Sequence, residues 1–126
     1  MPRKPNPGLT DREAEIMSIL WTLKEANVEA IRQHLANRPS DGTVRTLLGI
    51  MARRGLVAHD GSKYAKKYRA LVPKSQAQGT AVQRLLQSLF AGSTEQLLLH
   101  LVDEGDLDAE QLKRLRQHLD SSDTDH

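Results

Sequence analysis

The chain has 126 residues, no cysteine and a formal net charge of +2. This length suits one globular domain with a smaller helical extension and is short for a two-domain enzyme. Without cysteine, disulfides, thiolate zinc sites, iron–sulfur clusters and thiol catalysis are excluded, and we expect a reducing compartment. No apolar run approaches the ~18 residues that span a bilayer, and the N-terminus lacks the apolar segment of a signal peptide. We therefore predict a cytoplasmic protein without membrane insertion.

The charge is unevenly distributed along the chain. Residues 1–74 carry 14 Lys and Arg against 7 Asp and Glu, whereas residues 75–126 carry 4 against 9. The two parts therefore have net charges of +7 and −5. A basic part joined to an acidic part favours a polyanionic partner for the first, although a basic surface that is only solvated fits the same count.

The first helix follows a short basic segment. Residues 1–8 hold three prolines and a glycine, which predicts a flexible basic arm. Thr10 and Glu13 form the pattern of a capping box, and apolar residues at helical spacing carry the helix to about Lys24. Trp21 lies at that spacing, which favours a core position over an exposed binding platform.

Two further helices follow in close succession. Asn27 is placed to cap a helix that ends near Leu35, and Pro39 separates this helix from the next. Ser40 is the predicted N-cap of a third helix, and Gly55 follows two arginines as a C′ residue. Three helices with the last two close together match the order of a helix-turn-helix.

The third helix has two different faces. Its apolar stripe consists of Val44, Leu47, Leu48 and Met51 and indicates a core contact. The opposite face carries small or hydrogen-bonding residues and one arginine, namely Gly42, Thr43, Arg45, Thr46 and Gly49. Such a face suits the major groove of B-DNA, where arginine pairs with guanine and threonine contacts thymine or a base edge. An ordinary amphipathic helix with a solvated Arg45 is the alternative.

A β-hairpin is predicted after the third helix. Residues 56–59 and 67–71 read as strands around Asp60-Gly61, a strong turn signal. A hairpin behind a helix-turn-helix is the wing of a winged helix. Its predicted loop holds groups that can reach phosphates or the minor groove, namely Ser62, Lys63, Tyr64, Lys66 and Lys67. A basic turn without a ligand is the alternative.

The C-terminal part is predicted to form three leucine-rich helices. They cover about residues 75–90, a segment capped by Ser93, and a segment from Asp108 to Leu119; residues 120–126 are expected to be disordered. One protomer of this size cannot cover so many leucines, so we expect an isologous homodimer, with packing back onto the winged helix as the alternative. The expected dimer contacts are Leu86, Leu89, Phe90, Leu97, Leu98, Leu101, Leu112, Leu115 and Leu119.

The predicted fold is therefore mainly α with a small β-hairpin. A winged helix-turn-helix domain covers residues 9–73, and a helical dimerisation region covers residues 74–119. Two-fold symmetry in the protein suits a palindromic site in DNA.

Several motifs resemble the family of BlaI/MecI penicillinase and methicillin-resistance repressors, which includes the CopY-type copper repressors. The motifs span Leu9 to Leu119. They are L-T-D-R-E-A-E-I-M-S-I-L-W in the first helix, S-D-G-T-V-R-T-L-L in the third, R-R-G-L-V before the hairpin with Tyr68 in its second strand, and L-F-A-G-S-T-E-Q-L near the C-terminal helices.

The resemblance implies a winged-helix homodimer that binds double-stranded operator DNA and blocks transcription. It also implies release by proteolysis of the dimerising region when a membrane-bound metalloprotease sensor is triggered, with another signal-dependent step, such as ligand binding, as the alternative. The residues implied to face DNA are Ser40, Thr43, Arg45 and Thr46, with Lys63, Lys66 and Lys67 as wing contacts.

The chain departs from this family pattern at several positions. Gly42 stands where relatives often have lysine or tyrosine, and Ile50 stands where many have arginine, so the operator sequence is not carried over. The cysteine metal hook of the copper repressors is absent. Around His100-Leu101, which corresponds to the cleavage segment, no residue pattern marks a cut.

Two alternatives to a repressor are an enzyme and a winged helix that binds an acidic protein partner. The enzymatic alternative has little support, because no glycine-rich phosphate loop is present and the histidines lack metal-ligand or triad spacing. These histidines are His34, His59, His100, His118 and His126. We predict no enzyme activity, no cofactor and no metal site. Binding without preference for any duplex sequence is the observation that favours the protein partner.

Overall fold

The computed structural model describes residues 8–124, which form six helices and one hairpin. The elements are α1 (Asp11–Leu23), α2 (Val28–His34), α3 (Asp41–Arg53), β1 (Val57–His59), β2 (Tyr68–Ala70), α4 (Lys74–Leu89), α5 (Thr94–Asp103) and α6 (Ala109–Thr124). The predicted fold class, mainly helical with a small β-hairpin, is confirmed. The chain divides into two compact units, Met1–Val82 and Gln83–His126, with the boundary inside α4. Apart from Gly8, the predicted basic arm lies outside the described residues.

The helices begin at the predicted capping residues. Thr10 Oγ1 accepts a hydrogen bond from the Glu13 backbone N–H (3.1 Å), and Glu13 Oε1 accepts one from the Thr10 N–H (3.0 Å). Asn27 Oδ1 accepts from the Ala30 N–H at 2.9 Å, and Ser93 Oγ accepts from the Gln96 N–H at 3.1 Å. Each cap satisfies an N–H group that has no partner within the helix, which explains why these residue types start these helices.

The two strands pair antiparallel, as predicted for a hairpin. Val57 is opposite Ala70, and His59 is opposite Tyr68. The backbone of Tyr68 also exchanges two hydrogen bonds with Ala26, of 2.8 and 3.0 Å. This bridge attaches the turn between α1 and α2 to the hairpin, and the sequence pattern did not reveal it.

The Asp60-Gly61 pair begins the hairpin loop, and the strands on either side lie where they were predicted, within residues 56–59 and 67–71. The loop closes where the Asp60 N–H donates to the Lys67 carbonyl oxygen at 3.1 Å. Asp60 Oδ1 accepts hydrogen bonds from the Ser62 and Lys67 N–H groups (3.0 and 3.3 Å), so the carboxylate organises the loop from inside. Side-chain capping of this kind competes with a two-residue turn.

The core of the N-terminal unit contains side chains from α1, α2 and α3 and from the start of the hairpin. Each apolar side chain that is fully buried in this core stabilises the folded state by about 1.5–3 kcal/mol relative to an exposed one. Trp21 packs against this core, as predicted, and its Nε1 donates to the Val72 carbonyl oxygen at 2.9 Å. The side chains that are less than 2% exposed are Ile16, Met17, Leu20, Ile31, Val44, Leu48, Met51, Leu56 and Val57.

The C-terminal unit has little buried apolar surface within one chain. Leu86 is its buried hydrophobic residue, and α5 has no buried residue. The Phe90 ring lies edge-on to His100, with 5.8 Å between centroids. Helix α6 continues to Thr124, so the prediction of disorder from Asp120 is wrong for residues 120–124. No glycine or proline interrupts the chain there, and a helix once begun extends at low cost.

Candidate nucleic-acid interface

Helix α3 is fixed by one face and exposed on the other. Val44, Leu48 and Met51 are fully buried, whereas Thr43, Arg45 and Thr46 are exposed. The buried stripe sets the rotation of the helix, because turning it would expose these three side chains to water. The polar face therefore points away from the core.

The first turn of α3 brings together three of the predicted site residues. Ser40 Oγ accepts from the Thr43 N–H at 3.1 Å and donates to Thr43 Oγ1 at 3.0 Å. Ser40, Thr43 and Thr46 line an open hollow of about 520 Å³ with Gly42 and Leu47. Thr43 thus lies at the capped, positively polarised end of the helix, which favours anionic groups, and Thr46 lies about one turn further along.

Arg45 lies one turn after Asp41, with 63% of its side chain exposed. Its Nη2 lies 3.6 Å from Asp41 Oδ2. A cavity of about 250 Å³ separates the starts of α2 and α3 from the hairpin loop, and both Arg45 and Lys66 line it. Two cations from different elements therefore reach one concave surface.

The three predicted wing lysines have different surroundings. Lys66 is half-buried and lines the cavity with Arg45, and Lys63 is exposed on the loop. Lys67 Nζ lies 3.7 Å from Glu25 Oε1.

The loop itself is held by Asp60, and the hydrogen bond from the Ser62 backbone is the main reason that the pKa of Asp60 lies below its usual value.

A partly buried ion pair that the sequence pattern did not reveal holds the C-terminal end of α3. Arg54 Nη1 donates to both carboxylate oxygens of Glu13, at 2.7 and 2.6 Å, and Nη2 donates to the Gly8 carbonyl oxygen at 2.7 Å. Burial alone raises the pKa of Glu13, but the hydrogen bonds from Arg54 and Thr10 and the charge of Arg54 outweigh it and hold that pKa below its usual value. The ion pair joins the start of α1 to the end of α3.

Helix α1 also holds the turn between α2 and α3. Arg12 Nη1 donates to the Ala36 carbonyl oxygen at 3.0 Å, and Glu15 Oε2 accepts from the Ala36 N–H at 3.3 Å. Asn37 and Arg38 then adopt positive φ angles of 64° and 37°. Contacts from α1 thus restrain the turn that precedes α3 as well as the C-terminal end of α3.

Asp41 is a second residue that the sequence reasoning missed. It is the first residue of α3 and lies four residues before Arg45, a spacing at which helical side chains meet. Asp41 Oδ1 is also 3.6 Å from Arg32 Nε on α2. The i,i+4 spacing of an acidic and a basic residue was the signal available in the sequence.

The predicted dimer contacts are mostly exposed within one chain. Leu86 is buried, and Phe90, Leu97 and Leu101 are partly buried. The five remaining residues are between 41 and 75% exposed. These remaining residues are Leu89, Leu98, Leu112, Leu115 and Leu119.

Among the described residues, no group of three or more His, Cys, Asp or Glu side chains is arranged to hold a metal ion. No helix within residues 8–124 is long and apolar enough to cross a membrane.

Comparison with known proteins assigns the chain to a family. A sequence model of the penicillinase repressor family matches residues 9–121. An uncharacterized 16.5 kDa protein in the ptsI 3′ region of Latilactobacillus sakei is 28% identical over 113 residues, covering 88% of this chain and 77% of that protein. The methicillin resistance regulatory protein MecI of Staphylococcus aureus strain N315 is 24% identical over 113 residues, covering 88% and 92%.

The penicillinase repressor of Bacillus licheniformis is 21% identical over 119 residues, covering 93% of both chains. The resemblance that the motifs indicate is therefore confirmed. Since the family model matches most of the chain, the protein belongs to the penicillinase repressor family.

Proposed function

We propose that this protein is a sequence-specific DNA-binding transcriptional repressor that acts as a homodimer on a palindromic operator. One observation carries the proposal. The buried stripe of α3 directs Thr43, Arg45 and Thr46 outward, and Arg45 shares a cavity with Lys66 of the hairpin loop. The relatives named as MecI and as a penicillinase repressor support it by family membership.

In the proposed complex, α3 lies in the major groove. Arg45 is suited to pair with the two acceptors of a guanine, and Thr43 and Thr46 are suited to contact base edges or a thymine methyl group. Ser40 and the N-terminus of α3 face a phosphate. Contacts to phosphate position the protein without selecting sequence, whereas contacts to bases select the sequence.

The hairpin loop acts as the wing in this proposal. Lys63, Lys66 and Lys67 contact phosphates that flank the groove occupied by α3. Lys66 has the clearest structural support, because it lines the cavity beside Arg45. Each such contact releases counterions from DNA, so binding weakens as salt rises.

Dimerisation is assigned to the C-terminal helices. Leu89 is 75% exposed and Leu119 is 63% exposed in a single chain, and α5 has no buried residue. Exposed leucine on all three helices favours a second copy as the covering surface, because two-fold dimers are the commonest soluble oligomers. The dimer presents two α3 helices to two half-sites, about one helical turn of DNA or a multiple apart.

We propose that the protein leaves DNA when a signal converts the dimer into monomers. Proteolysis within the dimerising region, triggered by a membrane-bound metalloprotease sensor, is the proposed route. It is supported by the resemblance to the repressor family. A monomer retains only one α3 helix and therefore binds one half-site, with much lower affinity than the dimer.

Selection from a random duplex library tests the DNA-binding proposal. The full chain is expected to enrich an inverted repeat, and a single half-site to bind it much more weakly. Enrichment of no sequence above background contradicts the proposal and favours a winged helix that binds an acidic protein.

Sedimentation equilibrium tests the dimer. Leu115→Lys is expected to shift the chain towards monomer, because it places a charge in an apolar contact. Lys113→Ala is the matched control, since it alters an exposed polar position on the same helix and is expected to leave the dimer intact. A wild-type chain that sediments as a monomer at micromolar concentration contradicts this assignment.

A further inference from the structure

Four charged residues of alternating sign connect α2 to α3. Arg32 donates from Nε to Glu29 Oε1 at 3.2 Å and from Nη2 to Glu29 Oε2 at 3.3 Å. Arg32 Nε is also 3.6 Å from Asp41 Oδ1, and Asp41 Oδ2 is 3.6 Å from Arg45 Nη2. The order along the row is therefore Glu29, Arg32, Asp41, Arg45.

Each oxygen of Asp41 faces a different arginine. Arg32 is only 27% exposed and is bound by Glu29, which also lies on α2. The guanidinium that faces Asp41 from α2 is therefore restrained by a second carboxylate. Arg45 is much more exposed, at 63%. Asp41 thereby links the exposed arginine on the outer face of α3 to a less exposed arginine on α2.

We propose that Asp41 is a positioning residue that sets how strictly Arg45 selects its base, an inference that rests on the proposed DNA-binding function. An arginine at the edge of the groove has two competing targets, base edges and phosphates. The Asp41 carboxylate, with Oδ2 at 3.6 Å from Arg45 Nη2, attracts the Arg45 guanidinium towards the first turns of α3. Ordering a side chain before binding lowers the entropy lost in the complex.

The same carboxylate repels the DNA backbone. A negative charge beside the cavity that Arg45 and Lys66 line disfavours every duplex by a similar amount, whatever its sequence. Asp41 therefore lowers the affinity for DNA in general and raises the preference for the base pair that Arg45 contacts. These two effects have opposite signs for binding, which separates them from a loss of folding.

A purely structural role for Asp41 is the competing explanation. Asp41 is the first residue of α3, behind the Ser40 cap, where a carboxylate interacts favourably with the helix dipole. Asp11 has the same place in α1, behind the Thr10 cap. Asp11→Asn is therefore a matched control, because it removes the same charge from the same helical position on a different helix.

The experiment uses the full chain and the operator obtained by selection. Arg45→Ala identifies the base pair that Arg45 reads, as the position whose preference is lost. Affinities of wild type, Asp41→Asn, Asp41→Glu and Asp11→Asn are then measured for the operator, for the operator changed at that base pair, and for unrelated duplex DNA at one salt concentration. Thermal unfolding of each variant is recorded in parallel.

Asp41→Asn is expected to reduce discrimination at that base pair by about 1.5- to 2-fold, the size of an exposed i,i+4 ion pair. It is expected to raise the affinity for unrelated DNA by about threefold, the effect of a unit charge within ~7 Å of a phosphate in water. Asp41→Glu keeps a carboxylate four residues before Arg45 and should retain the discrimination. Asp11→Asn should change neither quantity.

Two results overturn the inference. In the first, Asp41→Asn discriminates at this base pair as well as wild type does, whereas Arg45→Ala does not discriminate. This result leaves the DNA-binding function intact but shows that Asp41 has no part in it. The other is a parallel fall in affinity for all duplexes together with lower thermal stability, which assigns Asp41 to the fold alone. A wild-type chain that selects no sequence instead contradicts the proposed function, so the two failures are distinguishable.

Discussion

Replacing Arg54 by alanine should destabilise the N-terminal unit more than replacement of any exposed arginine. The Glu13 side chain is 4% exposed and receives two hydrogen bonds from Arg54. Arg54→Ala leaves that carboxylate buried without its counterion, and it also removes the hydrogen bond to the Gly8 carbonyl oxygen. An unpaired buried charge is among the most costly defects in a folded protein.

The expected loss is about 2–3 kcal/mol of the free energy of unfolding. Breaking a fully buried ion pair costs about 3–5 kcal/mol. The cost is lower for this pair because the Arg54 side chain is 29% exposed, which lets water reach the vacated space. The Thr10 N–H also remains as a donor to Glu13.

Urea unfolding followed by the fluorescence of Trp21, the single tryptophan, measures this loss at fixed protein concentration. Arg84→Ala, an exposed arginine on α4, is the control and should change stability by less than about 0.5 kcal/mol. The double variant Glu13→Leu with Arg54→Met removes both charges. It should recover most of the loss, leaving about 1 kcal/mol for the lost Thr10 hydrogen bond. A loss below about 0.5 kcal/mol in Arg54→Ala, or a double variant no more stable than it, refutes the reasoning.

Three further predictions concern pH, capping and salt. Folding lowers the pKa of Glu13, so the ionised Glu13 side chain stabilises the fold above the usual glutamate pKa of 4.5, and this stabilisation is lost as pH falls through the lower pKa of the folded state. The free energies of unfolding in urea of wild type and Glu13→Gln should therefore differ most above pH 4.5 and converge at lower pH. Ser40→Ala and Ser93→Ala each remove a capping bond of 3.1 Å and should each cost about 1 kcal/mol, but only Ser40→Ala should also weaken operator binding in a gel-shift titration. Lys66→Ala should weaken binding to all duplexes alike and reduce the slope of log affinity against log salt by about 1, which a titration at several salt concentrations measures.

Local patterns predicted most of the helices and their starts. Thr10, Asn27, Ser40 and Ser93 are capping residues whose hydrogen bonds are made within three residues, so the sequence nearby contains the whole interaction. The buried stripe of α3 was visible for a similar reason, because a period of 3.6 residues depends only on the helix itself.

Contacts between distant segments were not visible in the sequence. Glu13 and Arg54 are 41 positions apart, and nothing near either residue names its partner. A partial signal existed, since Glu13 lies three and four residues before the buried Ile16 and Met17 and so shares their face. The bridge between Ala26 and Tyr68 gave no such signal, because backbone groups of any residue can make it.

The hairpin loop lies where it was predicted, whereas the end of α6 was mispredicted. The strand patterns at residues 56–59 and 67–71 located the loop, but the hydrogen bonds from the Ser62 and Lys67 N–H groups to the Asp60 carboxylate were not predicted. The end of α6 was placed at the last leucine of its stripe, although a helix without a breaker continues past it to Thr124. The assignment of individual residues to DNA or to the dimer remains a prediction.

The affinity of Arg45→Ala for the selected operator tests the central claim most directly. If Arg45 reads a base in the major groove, the substitution should cost about 1–3 kcal/mol on the operator and should relax preference at one base pair in each half-site. Arg84→Ala should bind as wild type does. Equal binding by Arg45→Ala and wild type, with unchanged preference at every base pair, contradicts the assignment of α3 as the helix that reads DNA.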